Sequence, residues 1–250
     1  MDIRVLQSGV VRERAGTWGV GRYLWAGWRP EPSPVNAFLV HHPEGLCLFD
    51  AGQSARAAQP GYFPRWHPFF RLARFELAEE DEVAAQLESS GLRPQNVRWV
   101  VLSHLHTDHV GGLEPFRDAE VVVSRVEWER ARGIGGKLRG YLPQYWPSGL
   151  EPTLLELDGG EFGPFPASHD LAGDGALIVV ATPGHTPGHV SLVVRRPGEP
   201  VLLGGDLAHN RHDLGRDAPG VARYRSEQGL AYVGAHDWDA RSIVCASQTT

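Results

Sequence analysis

The chain has 250 residues, 42% hydrophobic and 22% charged, with 24 Lys+Arg against 30 Asp+Glu for a formal net charge of −6. A chain this long and apolar can bury a full core, which excludes disorder as its main state. The acidic balance argues against a broad electrostatic grip on nucleic acid or on an anionic membrane. No apolar run is long enough to span a bilayer. The start, Met1–Val5, carries no apolar signal region, so a cytoplasmic address is expected. Two cysteines, Cys47 and Cys245, build no disulfide framework.

Alternation over Asp2–Ser8 predicts a strand, and Val35–His41 and Leu46–Asp50 are apolar runs separated by the turn Pro43-Glu44-Gly45. Glu79–Ser90 reads as one helix: acids open it, Val83, Ala84 and Leu87 share a face, and Gly91 stops it. Val97–Leu102 and Glu120–Val123 read as buried strands, the second leading through a Ser124 cap into a short helix, Arg125–Ala131. Farther on, Ala176–Ala181, Val190–Val194 and Pro200–Leu203 read as strands, and Leu230–Val233 is apolar. Strands with a few helices between them predict two packed sheets with helices outside. No repeat or Pro/Gly-rich linker divides the chain, so one domain over 1–250 is expected. Three aromatic stretches interrupt this pattern: 13–34 (Trp18, Trp25, Trp28), 61–75 (Tyr62, Phe63, Trp66, Phe69, Phe70, Phe75) and 141–148 (Tyr141, Tyr145, Trp146). Such loops either fold over an apolar small molecule at a site mouth or cover the core or a homodimer contact.

The chemistry concentrates in Ser103-His104-Leu105-His106-Thr107-Asp108-His109. This segment follows a buried strand, and His104 and His106, two apart, project to one side of an extended chain. Asp108 and His109 continue into a turn and face a neighbouring position, so one loop can serve two metal ions. Imidazole and carboxylate are donors suited to zinc. Further ligand-capable residues follow later strands: His185 and His189 in Thr182–His189, then Asp206, then His236. His185, in a glycine-flanked turn, is preferred to its competitor His189, which enters the next strand. His41, His42, His67, His169 and His212 read as ordinary histidines, and Cys47 as a buried apolar residue.

The order His104-x-His106-x-Asp108-His109, His185, Asp206, His236 over about residues 35–240 resembles the metallo-β-lactamase superfamily. That resemblance implies an α/β fold, the four-layer αβ/βα sandwich, with two divalent metal ions, zinc first and manganese or iron as alternatives. It gives His104, His106 and His185 to one metal, Asp108, His109 and His236 to the other, and Asp206 to both. Asp50, in Asp50-Ala51-Gly52, would orient a ligand. A hydroxide bridging two metals about 3.5–4 Å apart would be the nucleophile at neutral pH, with Asp108 beside it as a proton carrier.

Cysteine at the bridging position marks one group of true β-lactamases, and here it is Asp206. Only 14 residues follow His236, short of the helical extension of glyoxalase II-like thioesterases. Pro34–Val40, Asp50-x-Gly52 and Thr182–His189 are similar to N-acyl homoserine lactonases, which implies opening of an ester or lactone in a substrate with an apolar portion. Those enzymes carry a tyrosine three residues past the bridging aspartate; here it is His209, expected to act on the scissile carbonyl or leaving oxygen. Gly204–His209 is closer to phosphotriester-cleaving relatives, so a phosphotriesterase or a glyoxalase II-like thioesterase is the alternative, with a mononuclear iron persulfide dioxygenase behind them.

Overall fold

A computed structural model describes residues 1–14, 27–63, 73–132, 135–136 and 139–246. Seven strands form the first sheet: β1 (Ile3–Glu13), β2 (Ser33–His42), β3 (Gly45–Phe49), β4 (Ala73–Glu76), β5 (Val97–Val101), β6 (Glu120–Ser124) and β7 (Thr153–Leu155). They run in the order β4-β1-β2-β3-β5-β6-β7. The hairpins at the β1 side are antiparallel, and β3, β5, β6 and β7 are parallel. Five strands form the second sheet in the order β12-β11-β10-β9-β8. These are β8 (Ser168–Asp170), β9 (Leu177–Ala181), β10 (Val190–Val194), β11 (Val201–Leu203) and β12 (Ala231–Val233).

The apolar runs are continuous because both faces of each sheet are covered. Phe38, Phe49, Trp99, Val101 and Val122 of the first sheet pack against Leu177, Val179, Leu192, Leu203 and Val233 of the second. On the opposite faces, Leu39, Leu48, Val100 and Val123 pack with Val83, Leu87 and Ala131 of helices, while Val180, Leu202 and Tyr232 pack with Leu214 and Val221. The result is helix–sheet–sheet–helix layering, the expected α/β sandwich.

Several boundaries differ from the sequence reading. The first strand continues to Glu13, past a bulge between Gln7 and Val10 where Gly9 has φ +68°. The bulge breaks the alternation that ends at Ser8 in sequence. Glu79–Ser90 is two pieces, a 3-10 turn Glu79–Asp81 and a helix Val83–Ser89. Glu82 between them is extended, and its carboxylate accepts Ala55 N–H at 2.7 Å and Ser54 Oγ–H at 3.1 Å. The short strands β4, β7 and β8, all at sheet edges, have too few residues to show a period in the sequence. Among the described residues no helix is long and apolar enough to cross a membrane.

Candidate metal centre

The candidate residues gather at one rim of the sandwich, just past the C-terminal ends of strands from both sheets. Asp50 follows β3, His104–His109 follow β5, His185 follows β9, Asp206 follows β11 and His236 follows β12. The two sheets are tied there by backbone bonds from Val190 N–H to Ser103 O (2.9 Å) and from Asn36 N–H to Ala235 O (2.9 Å).

Buried partners aim each ring. Asp50, fully buried and the one non-glycine among the described residues with positive φ (61°), accepts Ser103 N–H at 2.7 Å, Ser103 Oγ–H at 2.9 Å and His109 Nδ1–H at 2.8 Å. His236 Nδ1–H donates to Pro34 O at 2.7 Å and His106 Nε2–H to Arg139 O at 2.9 Å. The Ser103 hydroxyl, already donating to Asp50, can accept His104 Nδ1–H at 3.0 Å. Each bond fixes a tautomer and leaves the other nitrogen as a lone pair aimed inward.

Those inward atoms form two sets. His104 Nε2 lies 3.0 Å from His106 Nδ1, which lies 3.0 Å from His185 Nε2. Asp108 Oδ2 lies 3.9 Å from both His109 Nε2 and His236 Nε2. Asp206 faces both: Oδ2 is 3.4 Å from His185 and 3.9 Å from His104, and Oδ1 is 3.4 Å from His109 and from His236. His104, His106 and His185 could hold one ion; Asp108, His109 and His236 could hold another.

The donor set fits divalent metal on two grounds. Lone pairs about 3 Å apart repel unless a cation lies between them, and His109 Nε2 and Asp206 Oδ1 are buried without a hydrogen-bond partner. The electrostatics agree. Burial, then His109, His106 and His185, holds His104 well below the usual imidazole range, and burial with His185 pushes His106 down to about 4. Both are therefore neutral, as ligation requires. On the other side burial opposes charge, but carboxylates led by Asp206 outweigh it, raising His109 and bringing His236 to about 9. Asp206, despite burial, is held well below the carboxylate range by His109 and His236. These carboxylates demand positive charge, which a bound cation supplies in place of those protons.

His189 is not among the converging rings. It is buried, its Nδ1–H meets Thr182 Oγ1 at 2.8 Å, and its Nε2 accepts the backbone N–H of Asp206 at 3.0 Å. Thr182 continues to Ser191 Oγ (2.9 Å), which donates to Gly204 O (3.1 Å). Burial and His185 push His189 down to about 3.

Two carboxylates have supporting roles that the sequence does not assign them. Asp237 folds the turn that presents His236, accepting Gly234 N–H at 2.7 Å and Arg211 N–H at 2.8 Å. Glu127, fully buried on the helix Arg125–Arg132, accepts Leu105 N–H at 3.1 Å, Thr186 Oγ–H at 2.8 Å and Gly188 N–H at 3.2 Å. The helix sequence RVEWERAR is charged on all sides, so nothing in it distinguishes Glu127 from a surface acid.

His209 stacks on His236 with centroids 5.5 Å apart, and its Nε2 lies 3.3 Å from Ser33 Oγ. Burial, with His236 and Arg29, pushes it down to about 4. It lines a cleft of about 470 Å³ together with Arg29, Ser33, His212, His236 and Trp238. His212 thus borders the site rather than lying apart from it. Of the aromatic stretches, Tyr141 is fully buried against His106, and Trp146 stacks on Trp128 over the outer core. Phe75 is core, with Phe63 and Tyr62 packed against its cluster. The expected aromatics Trp18, Trp25, Trp66, Phe69 and Phe70, and His67, lie outside the described residues.

Residues 30–239 match the Metallo-beta-lactamase superfamily. The chain is 35% identical to N-acyl homoserine lactonase AttM of Azorhizobium caulinodans, over 83% of this chain and 83% of that protein. It is 34% identical to N-acyl homoserine lactonase AttM of Rhizobium radiobacter, over 94% and 90%. Among solved structures, an N-acyl homoserine lactone hydrolase with N-hexanoyl-L-homoserine bound at its catalytic metal centre superposes with a TM-score of 0.75, covering 97% of this chain and 96% of that one at 21% identity.

Proposed function

The chain belongs to the metallo-beta-lactamase superfamily and is a metal-dependent hydrolase, and on that premise we propose that it opens the lactone ring of N-acyl homoserine lactones at a binuclear centre. His104, His106 and His185 would hold one divalent ion, Asp108, His109 and His236 the other, and Asp206 would serve both. Zinc suits these donors, with manganese or iron as alternatives. The observation that carries the binuclear reading is Asp206, whose two oxygens face different histidine sets at 3.4 Å. Divalent metal held there supplies Lewis acidity toward a carbonyl and makes water nucleophilic near neutral pH.

The chain's own groups do the rest. Asp108 takes the proton released as water attacks the lactone carbonyl. The ring C–O bond breaks, the departing oxygen accepts a hydrogen bond from neutral His209 at the cleft wall and takes the proton that Asp108 carries, and the products are the new hydroxyl and, after loss of the second water proton to solvent, the carboxylate of an N-acyl homoserine. Trp238, 58% exposed at the cleft, offers a surface for the acyl chain. The lactonase relatives support the substrate class.

The test is ring opening of N-hexanoyl homoserine lactone by zinc-loaded protein, followed by acid release and by the mass gain of one water. Phosphotriester, thioester and β-lactam substrates run alongside. Lactone turnover well above the others is expected. Protein carrying two ions that leaves the lactone intact refutes the substrate, and faster phosphotriester cleavage redirects the assignment.

A further inference from the structure

Glu127 makes no hydrogen bond to a side chain that converges on the metal centre, yet its bonds to Leu105, Thr186 and Gly188 end beside residues that do. Leu105 lies between His104 and His106, and Thr186 and Gly188 lie in the turn that carries His185. The turn lies directly on the helix: a Cβ on Gly188 would come 2.1 Å from Glu127 N. One carboxylate therefore joins the β5 loop of the first sheet to the β9 loop of the second, and the loops so joined carry the three rings of a single set. None of its bonds reaches Asp108, His109 or His236. Asp50 differs: it bonds His109 directly and reaches His104 through the Ser103 hydroxyl, so it touches both sets.

We propose that Glu127 is a positioning residue for one metal alone, setting the spacing of His104, His106 and His185 and so the affinity of that ion independently of its neighbour. The inference rests on the ligand assignment proposed above. Without the carboxylate, Leu105 N–H and Gly188 N–H compete for fewer acceptors, and the two loops lose their common anchor. The rings would then need to be gathered when the ion binds, which weakens binding. The other set keeps its own supports in Asp50 and Pro34 O.

The experiment is stepwise zinc titration of chelator-treated full-length protein against a competing chromophoric chelator. Wild type is expected to take up two ions. Glu127→Gln keeps the volume but turns one acceptor into a donor facing an N–H, and it should weaken one step by roughly 10- to 100-fold while leaving the other unchanged. Asp50→Asn should weaken both steps. Site identity comes from double variants: Glu127→Gln should add nothing in a His106→Ala background and should weaken the remaining step in a His236→Ala background. Thr186→Val, which removes only the hydroxyl bond, should move the same step less and covers the case in which Glu127→Gln fails to fold. Equal weakening of both steps, the signature of general destabilisation, overturns the proposal, and so does an unchanged titration of both variants. Wild type taking up a single ion overturns the two-metal reading itself, and with it this inference.

Discussion

His185 and His189 lie four residues apart in one loop, and the structure gives them opposite thermodynamic signatures. His189→Leu keeps most of the buried volume but strips the acceptor from Asp206 N–H and the donor from Thr182 Oγ1. Stranding a buried or half-buried N–H costs about 1–3 kcal/mol, and a lost neutral bond about 0.5–1.5 kcal/mol. A loss near 2–3 kcal/mol follows, or roughly 5–10 °C in melting temperature for a chain of this size. This loss should be present in chelator-treated protein, since those bonds involve no metal. His185→Ala removes a ring that is 35% exposed and whose close neighbours are inward-facing site atoms. Chelator-treated protein should then change by no more than about 0.5 kcal/mol, while zinc-loaded protein loses the stabilisation of one ion. The assay is denaturant unfolding of both variants with and without zinc, with metal counted by elemental analysis. The reverse pattern, a destabilised metal-free His185→Ala beside an unaffected His189→Leu, would refute the assignment of the two rings.

Zinc-reconstituted protein should carry two ions per chain after desalting; one ion in a fully loaded sample contradicts the shared Asp206. His209→Phe should keep both ions and lose roughly 10²-fold in lactone turnover, the usual scale for a positioned donor, and unchanged turnover removes His209 from the chemistry. Burial pushes the Cys47 thiol up to about 12, while Cys245 is exposed. Because the thiolate is the reactive form, a thiol reagent at pH 8 should modify Cys245 alone until the protein unfolds. Rapid modification of two thiols in the native protein would show that the β3 packing is wrong.

The sandwich was legible wherever a strand is buried on both faces. Val97–Val101, Val190–Val194 and Val201–Leu203 are nearly continuous apolar runs because neither face meets water. Ala73–Glu76 and Ser168–Asp170 were not, because four alternating residues are too few to set a period and Ser168-His169-Asp170 is polar throughout. At the site, clustering within one loop made His104–His109 readable, and position after a strand made His185, Asp206 and His236 readable. Supporting groups carry no such local mark. Glu127 and Asp237 take their roles from loops that are distant in sequence and meet only after the sheets dock. Asp50 is different: it ends an apolar strand and precedes Ala51-Gly52, so its place in the turn was visible, though not its left-handed backbone.

The rim position of the site has a consequence for folding. Two sets of donors are split between the sheets: His104, His106, Asp108 and His109 follow β5, while His185, Asp206 and His236 follow strands of the other sheet. Each ion held as proposed is therefore a cross-link between the halves of the sandwich, made only when they are docked. Binding and docking are then thermodynamically linked, and the free energy of unfolding rises by about 1.4 kcal/mol for each tenfold increase in free metal above the dissociation constant of each site. The melting temperature is thus a function of free metal concentration, so metal starvation loosens the junction between the sheets as well as silencing the chemistry at its rim.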